Sequence, residues 1–224
     1  MGIIGGLGPQ ATIDYYQRIV DHFQTRNHSL AIPEIVIFSL DITRLFAMIE
    51  ASEWDSLANW LADKVRALHL AGAEFAAISA NTPHIVFDRV QAMSPIPLVS
   101  IVDATLAAAQ VNGYKRLGLL GTAFTMQSNF FARDGVSIFV PNTEEQQRIH
   151  ERLISEIEHG VFTAATKQEL LAIICSLQER HQLDAVILGC TELPLLLHDG
   201  DTNIPLLNTT AIHVDAICQR CIGN

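Results

Sequence analysis

The chain is short of charge, and of positive charge above all. Of its 224 residues only 17% are Asp, Glu, Lys or Arg, against about 25% in an ordinary soluble domain. Its 14 Lys and Arg face 24 Asp and Glu, a formal net charge of −10. No run of Lys or Arg stands out, so nucleic acid and anionic membrane surfaces are excluded as partners. Long hydrophobic runs are missing too. No segment reaches the ~18 consecutive apolar residues of a membrane helix, and no basic stretch leads into an apolar one at the amino terminus, so no secretory signal is expected. Cysteine is sparse: Cys175, Cys190, Cys218 and Cys221 lack the density of a disulfide framework, which fits a reducing cytoplasm. Cys218 and Cys221 form a C-x-x-C without a second pair at zinc spacing, and read as small apolar residues on the last helix. No metal is expected.

What the chain has is aliphatic bulk, with 49% hydrophobic residues and hence a substantial core with apolar surface to spare for a subunit interface. Ile35–Leu40, Phe75–Ser79, Leu117–Leu120 and Ala185–Leu188 read as parallel strands buried on both faces. Gln10–Arg26, Trp54–Leu70, Asp103–Asn112 and Glu144–His159 have helical spacing, and Gly72, Gly113 and Gly160 sit where helices would end. Such alternation means an α/β fold with right-handed crossovers.

The pattern repeats. Phe75-Ala-Ala-Ile-Ser-Ala80-Asn-Thr-Pro-His84 is echoed by Ala185-Val-Ile-Leu-Gly-Cys190-Thr-Glu-Leu-Pro194, Ile96-Pro-Leu-Val-Ser100 by Ile204-Pro-Leu-Leu-Asn208, and Ile3-Ile-Gly-Gly-Leu-Gly8 by Leu119-Leu-Gly-Thr-Ala-Phe-Thr125. Three matches in one order suggest two pseudo-symmetric lobes, each a short, mostly parallel sheet flanked by helices. The lobes are expected at 1–98, completed by roughly 209–224, and at 99–208. Lobes facing each other would place Ala80 and Cys190 across one cleft, each just beyond a strand's carboxyl end, where ligands bind in open α/β sheets.

Cys190, in Gly189-Cys-Thr-Glu-Leu-Pro194, is the strongest chemical candidate. It follows a strand, where N–H groups of the next turn can favour a thiolate; Cys175, in an apolar run, reads as packing. Asn81, Thr82 and His84 offer an amide, a hydroxyl and an imidazole at a helix start, suited either to capping or to holding a carboxylate. Thr122 and Thr125 offer the same from the second lobe. Gly6-Leu-Gly-Pro-Gln-Ala11 matches a dinucleotide fingerprint, but Pro9 and the distant Asp41 argue against it. The same turn, through Leu7 and Gly8, suits a small carboxylate held by backbone amides.

These residues resemble the aspartate/glutamate racemase family of cofactor-independent amino-acid racemases. The likeness rests on Ile3-Ile-Gly-Gly-Leu-Gly-Pro9, Asn81-Thr-Pro-His84, Leu120-Gly-Thr-Ala-Phe-Thr-Met126, Gly189-Cys-Thr-Glu-Leu193 and Asn208-Thr-Thr-Ala-Ile-His213, which span nearly the whole chain. The resemblance implies two pseudo-symmetric α/β domains, no cofactor, a small amino-acid or dicarboxylic substrate and a homodimer. It makes Cys190 one of two acid/base thiols and assigns substrate contacts to Leu7, Gly8, Asn81, Thr82, Thr122, Thr125, Thr191 and Glu192. The position of the other thiol is Ala80, which has no exchangeable proton. Ala80 is therefore an engineered replacement, or Ser79, His84 or a water serves that face, or the chain runs a one-thiol reaction like the arylmalonate decarboxylase-like relatives. A non-catalytic amino-acid or organic-acid binding protein is the remaining alternative. The turn Glu156-Ile-Glu-His-Gly160 lacks a lysine that some members carry there. Arg44 is the candidate for a side-chain carboxylate.

Overall fold

In a computed structural model, residues 1–27 and 30–223 are described. The chain divides into two compact units, Met1–Ala104 with Thr210–Asn224, and Thr105–Thr209. The first holds β1 (Gly2–Gly5), α1 (Pro9–Asn27), β2 (Val36–Ser39), α2 (Ile42–Glu50), α3 (Trp54–Leu70), β3 (Ala76–Ile78), α4 (Phe87–Met93) and β4 (Leu98–Val99), with α5 (Ile101–Val111) leading out of it. The second holds β5 (Arg116–Leu120), α6 (Ala123–Gln127), β6 (Ser137–Phe139), α7 (Thr143–Ser155), α8 (Ala164–His181), β7 (Ala185–Leu188) and β8 (Leu206–Asn208). Helix α9 (Thr209–Ile222) returns to the first unit.

Each unit is a four-stranded sheet, ordered β2-β1-β3-β4 and β6-β5-β7-β8, with every pairing parallel. The duplicated segments occupy equivalent places: β1 matches β5, β3 matches β7 and β4 matches β8. Even single hydrogen bonds recur, for the Ile-Pro-Leu prolines each accept a strand N–H, Ala76 to Pro97 at 3.0 Å and Val186 to Pro205 at 2.9 Å. The central strands β1, β3 and β7 are buried throughout. Strand β2 is different: its residues alternate between half-buried and exposed, correcting the expectation of a strand apolar on both faces. It lies at the sheet edge, where one flank has no neighbouring strand.

The helices bury stripes at helical spacing. Tyr15, Ile19 and Phe23 of α1 pack with Ile3, Phe75 and the Val214, Ile217 and Cys218 face of α9. In the second unit Ile149 and Leu153 of α7 meet Leu170, Ile173, Ile174 and Leu177 of α8. Gly72, Gly113 and Gly160 stand at helix ends with positive φ, as their spacing predicts. The helix expected over Glu144–His159 breaks after Ser155 and resumes as one 3-10 turn, Ile157–His159. Cys175 is exposed on α8, its thiol 3.7 Å from Glu179 Oε1, which corrects its reading as core packing. No helix among the described residues is long and apolar enough to cross a membrane.

Candidate active site

In both sheets the chain leaves the second strand from the edge on one side and the third on the other, so β1/β3 and β5/β7 are topological switch points. Crevices open at the carboxyl ends of such strands. In the second unit those ends carry Gly121-Thr122 and Gly189-Cys190. The Gly189 N–H donates to Leu120 O at 2.6 Å. A Cβ on Gly189 would stand 2.6 Å from a Leu119 methyl and 2.8 Å from Leu120 O, so only glycine lets the strands close here and sets Cys190 at the rim.

Cys190 is 6% exposed. Its thiol donates to Glu192 Oε2 at 3.1 Å and lies 3.8 Å from Glu158 Oε1. Thr191 also donates to Glu192 Oε2, at 3.0 Å. Burial pushes the Cys190 thiol well above its usual range, and the charges of Glu192 and Glu158 push it further. The expectation of a thiolate favoured by helix-start N–H groups is thereby overturned. The following element is a single 3-10 turn, Leu193–Leu195, and two carboxyl groups at close range outweigh it. Cys190 rests as a thiol.

Glu158 is the residue that sequence reasoning missed as a member of this site. It stands in the lysine-free turn Glu156–Gly160, 32 residues from Cys190, and the break after α7 brings it alongside. Burial, then the charge of Glu192, pushes its carboxyl up to about 8. The ligating atoms of Glu158, Cys190 and Glu192 lie within 4.8 Å of one another, but a cation there would have to displace the proton already shared between thiol and carboxylate. Thr122 and Thr125, both buried, meet through their hydroxyls at 3.1 Å, and Thr122 caps α6 through the Thr125 N–H.

The equivalent rim in the first unit carries Gly5–Gly8 and Ser79–Asn81. The Gly6 N–H goes to the Thr12 hydroxyl at 2.8 Å, so a carboxylate cradle in this turn rests on Leu7 and Gly8. Ala80, 3% exposed, presents a methyl where Cys190 presents a thiol. Neither neighbour proposed to replace that thiol is at liberty. The Ser79 hydroxyl donates to Ile4 O at 3.1 Å. His84 Nδ1–H donates to Ala80 O at 2.9 Å, while Nε2 accepts the Ile101 N–H at 3.2 Å and so caps α5. Burial pushes His84 down to about 4, leaving a neutral ring with both nitrogens occupied. Asn81 is buried beside it and Thr82 half-buried at the start of the 3-10 turn Thr82–Val86.

His213 has a comparable structural post, its Nδ1 accepting from Tyr15 OH at 2.7 Å and its Nε2–H donating to Val99 O at 2.9 Å. It pins α9 to the first unit. Arg44 is exposed with its guanidinium 4.8 Å over the Trp60 ring. Cys218 is fully buried and Cys221 half-buried, both free thiols packed into the first unit's core, as the apolar reading of the C-x-x-C expects.

Residues 4–217 match the sequence profile of the Asp/Glu/hydantoin racemase family. The chain is 25% identical over 219 residues to the broad specificity amino-acid racemase RacX of Bacillus subtilis strain 168, covering 94% of this chain and 93% of that one. An aspartate racemase homologue from Pyrococcus horikoshii OT3 is 32% identical, with a TM-score of 0.84 over 100% of this chain and 98% of that one. The aspartate racemase of Picrophilus torridus, 22% identical, shares the fold with a TM-score of 0.74 over 98% and 94% of the two chains. The chain belongs to the Asp/Glu/hydantoin racemase family, and with it to the isomerases that racemise amino acids.

Proposed function

We propose that this family member exchanges the α-proton of an amino acid without a cofactor, with Cys190 as the acid/base on one face of Cα. The observation that carries the reading is the Cys190 thiol at the end of β7, hydrogen-bonded to a carboxylate oxygen at 3.1 Å. The thiol proton passes to Glu192, the resulting thiolate takes the α-proton, and the electron pair stays on Cα as a carbanion. Return of that proton from Cys190 restores the starting enantiomer. Inversion needs a proton from the opposite face, which the Ala80 methyl cannot give. Backbone N–H groups at Leu7 and Gly8, with Asn81, Thr82, Thr122, Thr125 and Thr191, are the proposed substrate contacts. The reading includes a homodimer and a cytoplasmic setting, the latter supported by four free cysteines.

In D₂O the chain should incorporate deuterium at Cα of an amino acid drawn from a panel of acidic, neutral and basic residues. Cys190→Ser should lose about 10²–10⁴-fold in that rate. Ala80→Cys should add inversion, read by chiral chromatography. Exchange undiminished in Cys190→Ser would remove Cys190 from the mechanism. Ala80 also favours a second reading, a one-thiol decarboxylation in which loss of CO₂ forms the carbanion and Cys190 protonates it. That reading requires CO₂ release from a substituted malonate with negligible racemisation.

A further inference from the structure

Resting on the racemase reading, we infer that Thr12 is a positioning residue for the substrate carboxylate, its hydroxyl setting the Gly5–Gly8 turn so that the Leu7 and Gly8 amides meet the ligand. Thr12 lies in the first turn of α1, and its one hydroxyl serves both ends of the glycine-rich turn. It accepts the Gly6 N–H at 2.8 Å and donates to Gly8 O at 3.1 Å, where the Thr12 N–H also arrives, at 3.3 Å. Gly6 has φ +81, a left-handed conformation that glycine adopts without steric cost. The turn folds inward at Gly6 and is closed by Thr12. No acceptor among the described residues takes the N–H of Leu7 or Gly8, although both residues are buried. Buried N–H groups without an acceptor are unfavourable, and a carboxylate satisfies them with charge-assisted hydrogen bonds.

Packing holds Thr12 to this task. A Cβ on Gly5 would stand 2.6 Å from the Thr12 methyl and 2.9 Å from its hydroxyl, so glycine at the end of β1 makes room for Thr12 to lie against it. The Ser79 hydroxyl, just beyond β3, lies 3.4 Å from the Thr12 hydroxyl and donates to Ile4 O. Both strands that end at this rim therefore reach the same oxygen. The two halves of the Thr12 side chain have separate duties. Its methyl fills the space over Gly5, and its hydroxyl fixes the direction in which the turn's amides point. Direction matters because a hydrogen bond weakens steeply once donor and acceptor are misaligned.

Malonate, a carboxylate probe without an amino group, separates carboxylate binding from α-proton exchange. Titration with malonate follows the Leu7 and Gly8 amide signals in ¹⁵N spectra, deuterium uptake on a panel of amino acids gives kcat/KM, and urea unfolding gives stability on the same proteins. Both amide signals should move in wild type. Thr12→Val, which keeps the shape and loses the hydroxyl, should weaken malonate binding and lower kcat/KM about tenfold or more, the loss of one hydrogen bond to a charged group. Thr12→Ser, which keeps the hydroxyl and loses the methyl, should lose stability yet stay close to wild type in both. Affinity that instead follows stability across the three proteins overturns the inference. So do amide signals that malonate leaves unmoved in wild type, undiminished affinity in Thr12→Val, or lost affinity in Thr12→Ser, the variant that decides should Thr12→Val not fold. Malonate binding governed by Thr12 without deuterium uptake on any amino acid sinks the racemase reading and leaves the positioning role standing. Deuterium uptake with an unchanged kcat/KM in Thr12→Val does the reverse.

Discussion

Replacing Glu192 by glutamine tests whether a carboxylate governs the protonation of Cys190. The Glu192 Oε2 atom lies 3.1 Å from Sγ, and its charge is the largest contributor after burial to the raised thiol. Two unit charges about 4 Å apart at an effective dielectric of about 20 interact by about 4 kcal/mol, enough to raise the thiol. Part of this returns, because Glu192 helps to hold Glu158 at about 8, and without it Glu158 ionises more readily. The net effect at Cys190 is therefore a lowered thiol. Lowering it raises the thiolate fraction faster than it cuts nucleophilicity, because the Brønsted slope is only about 0.4–0.5. Alkylation by iodoacetamide near neutral pH should then run faster in Glu192→Gln. The assay follows the Cys190 peptide by mass spectrometry across pH in a Cys175→Ser background, since Cys175 is exposed; Cys221 in the same digest reports any general loosening. A Glu192→Gln profile that superimposes on wild type, or moves to higher pH, refutes the electrostatic argument.

Gly6→Ala should destabilise the first unit by about 2–4 kcal/mol in urea unfolding. Gly6 has φ +81, and an added Cβ would lie 2.3 Å from Leu40 O, a backbone atom that cannot rotate away; unchanged stability contradicts this. His84 and His213 should keep neutral rings to pH 5.5 in ¹⁵N spectra, with the proton on Nδ1 of His84 and Nε2 of His213. Burial pushes them down to about 4 and about 3, and His84 adds to the shift of His213. Both folded values lie below the ordinary imidazole value of 6.5, so the unfolded state binds more protons as pH falls below it. Each ring then removes stability at about 1.4 kcal/mol per pH unit until its folded value is reached. His213→Gln should flatten this acid-side loss, and an imidazolium signal from either ring in folded wild type at pH 5.5 counts against it.

The internal duplication was legible because it is written in local pattern. Buried runs closed by small-residue turns, and an Ile-Pro-Leu after each copy, depend on neighbours a few residues away. Two four-stranded parallel sheets with matching order follow from them. The rim residues Ala80 and Cys190 were legible for the same reason, since the end of a buried strand is itself a sequence signal. Edge strand β2 reads from sequence as buried because a run of aliphatic residues does not reveal how many strands flank it.

The sequence by itself thus determined the fold class, the repeat, the family likeness and the alanine at position 80, where that likeness expects a thiol. Tertiary structure decided what the polar groups do. It tied Ser79 and His84 to backbone atoms, gave His213 to Tyr15 and Val99, and brought Glu158 beside Cys190 from a distant turn. Periodicity reports burial along the chain, whereas protonation and hydrogen bonding depend on distances of 3–4 Å through space. For that reason Cys190 reads from sequence as a reactive cysteine, and only the folded chain makes it a thiol held protonated between two carboxyl groups.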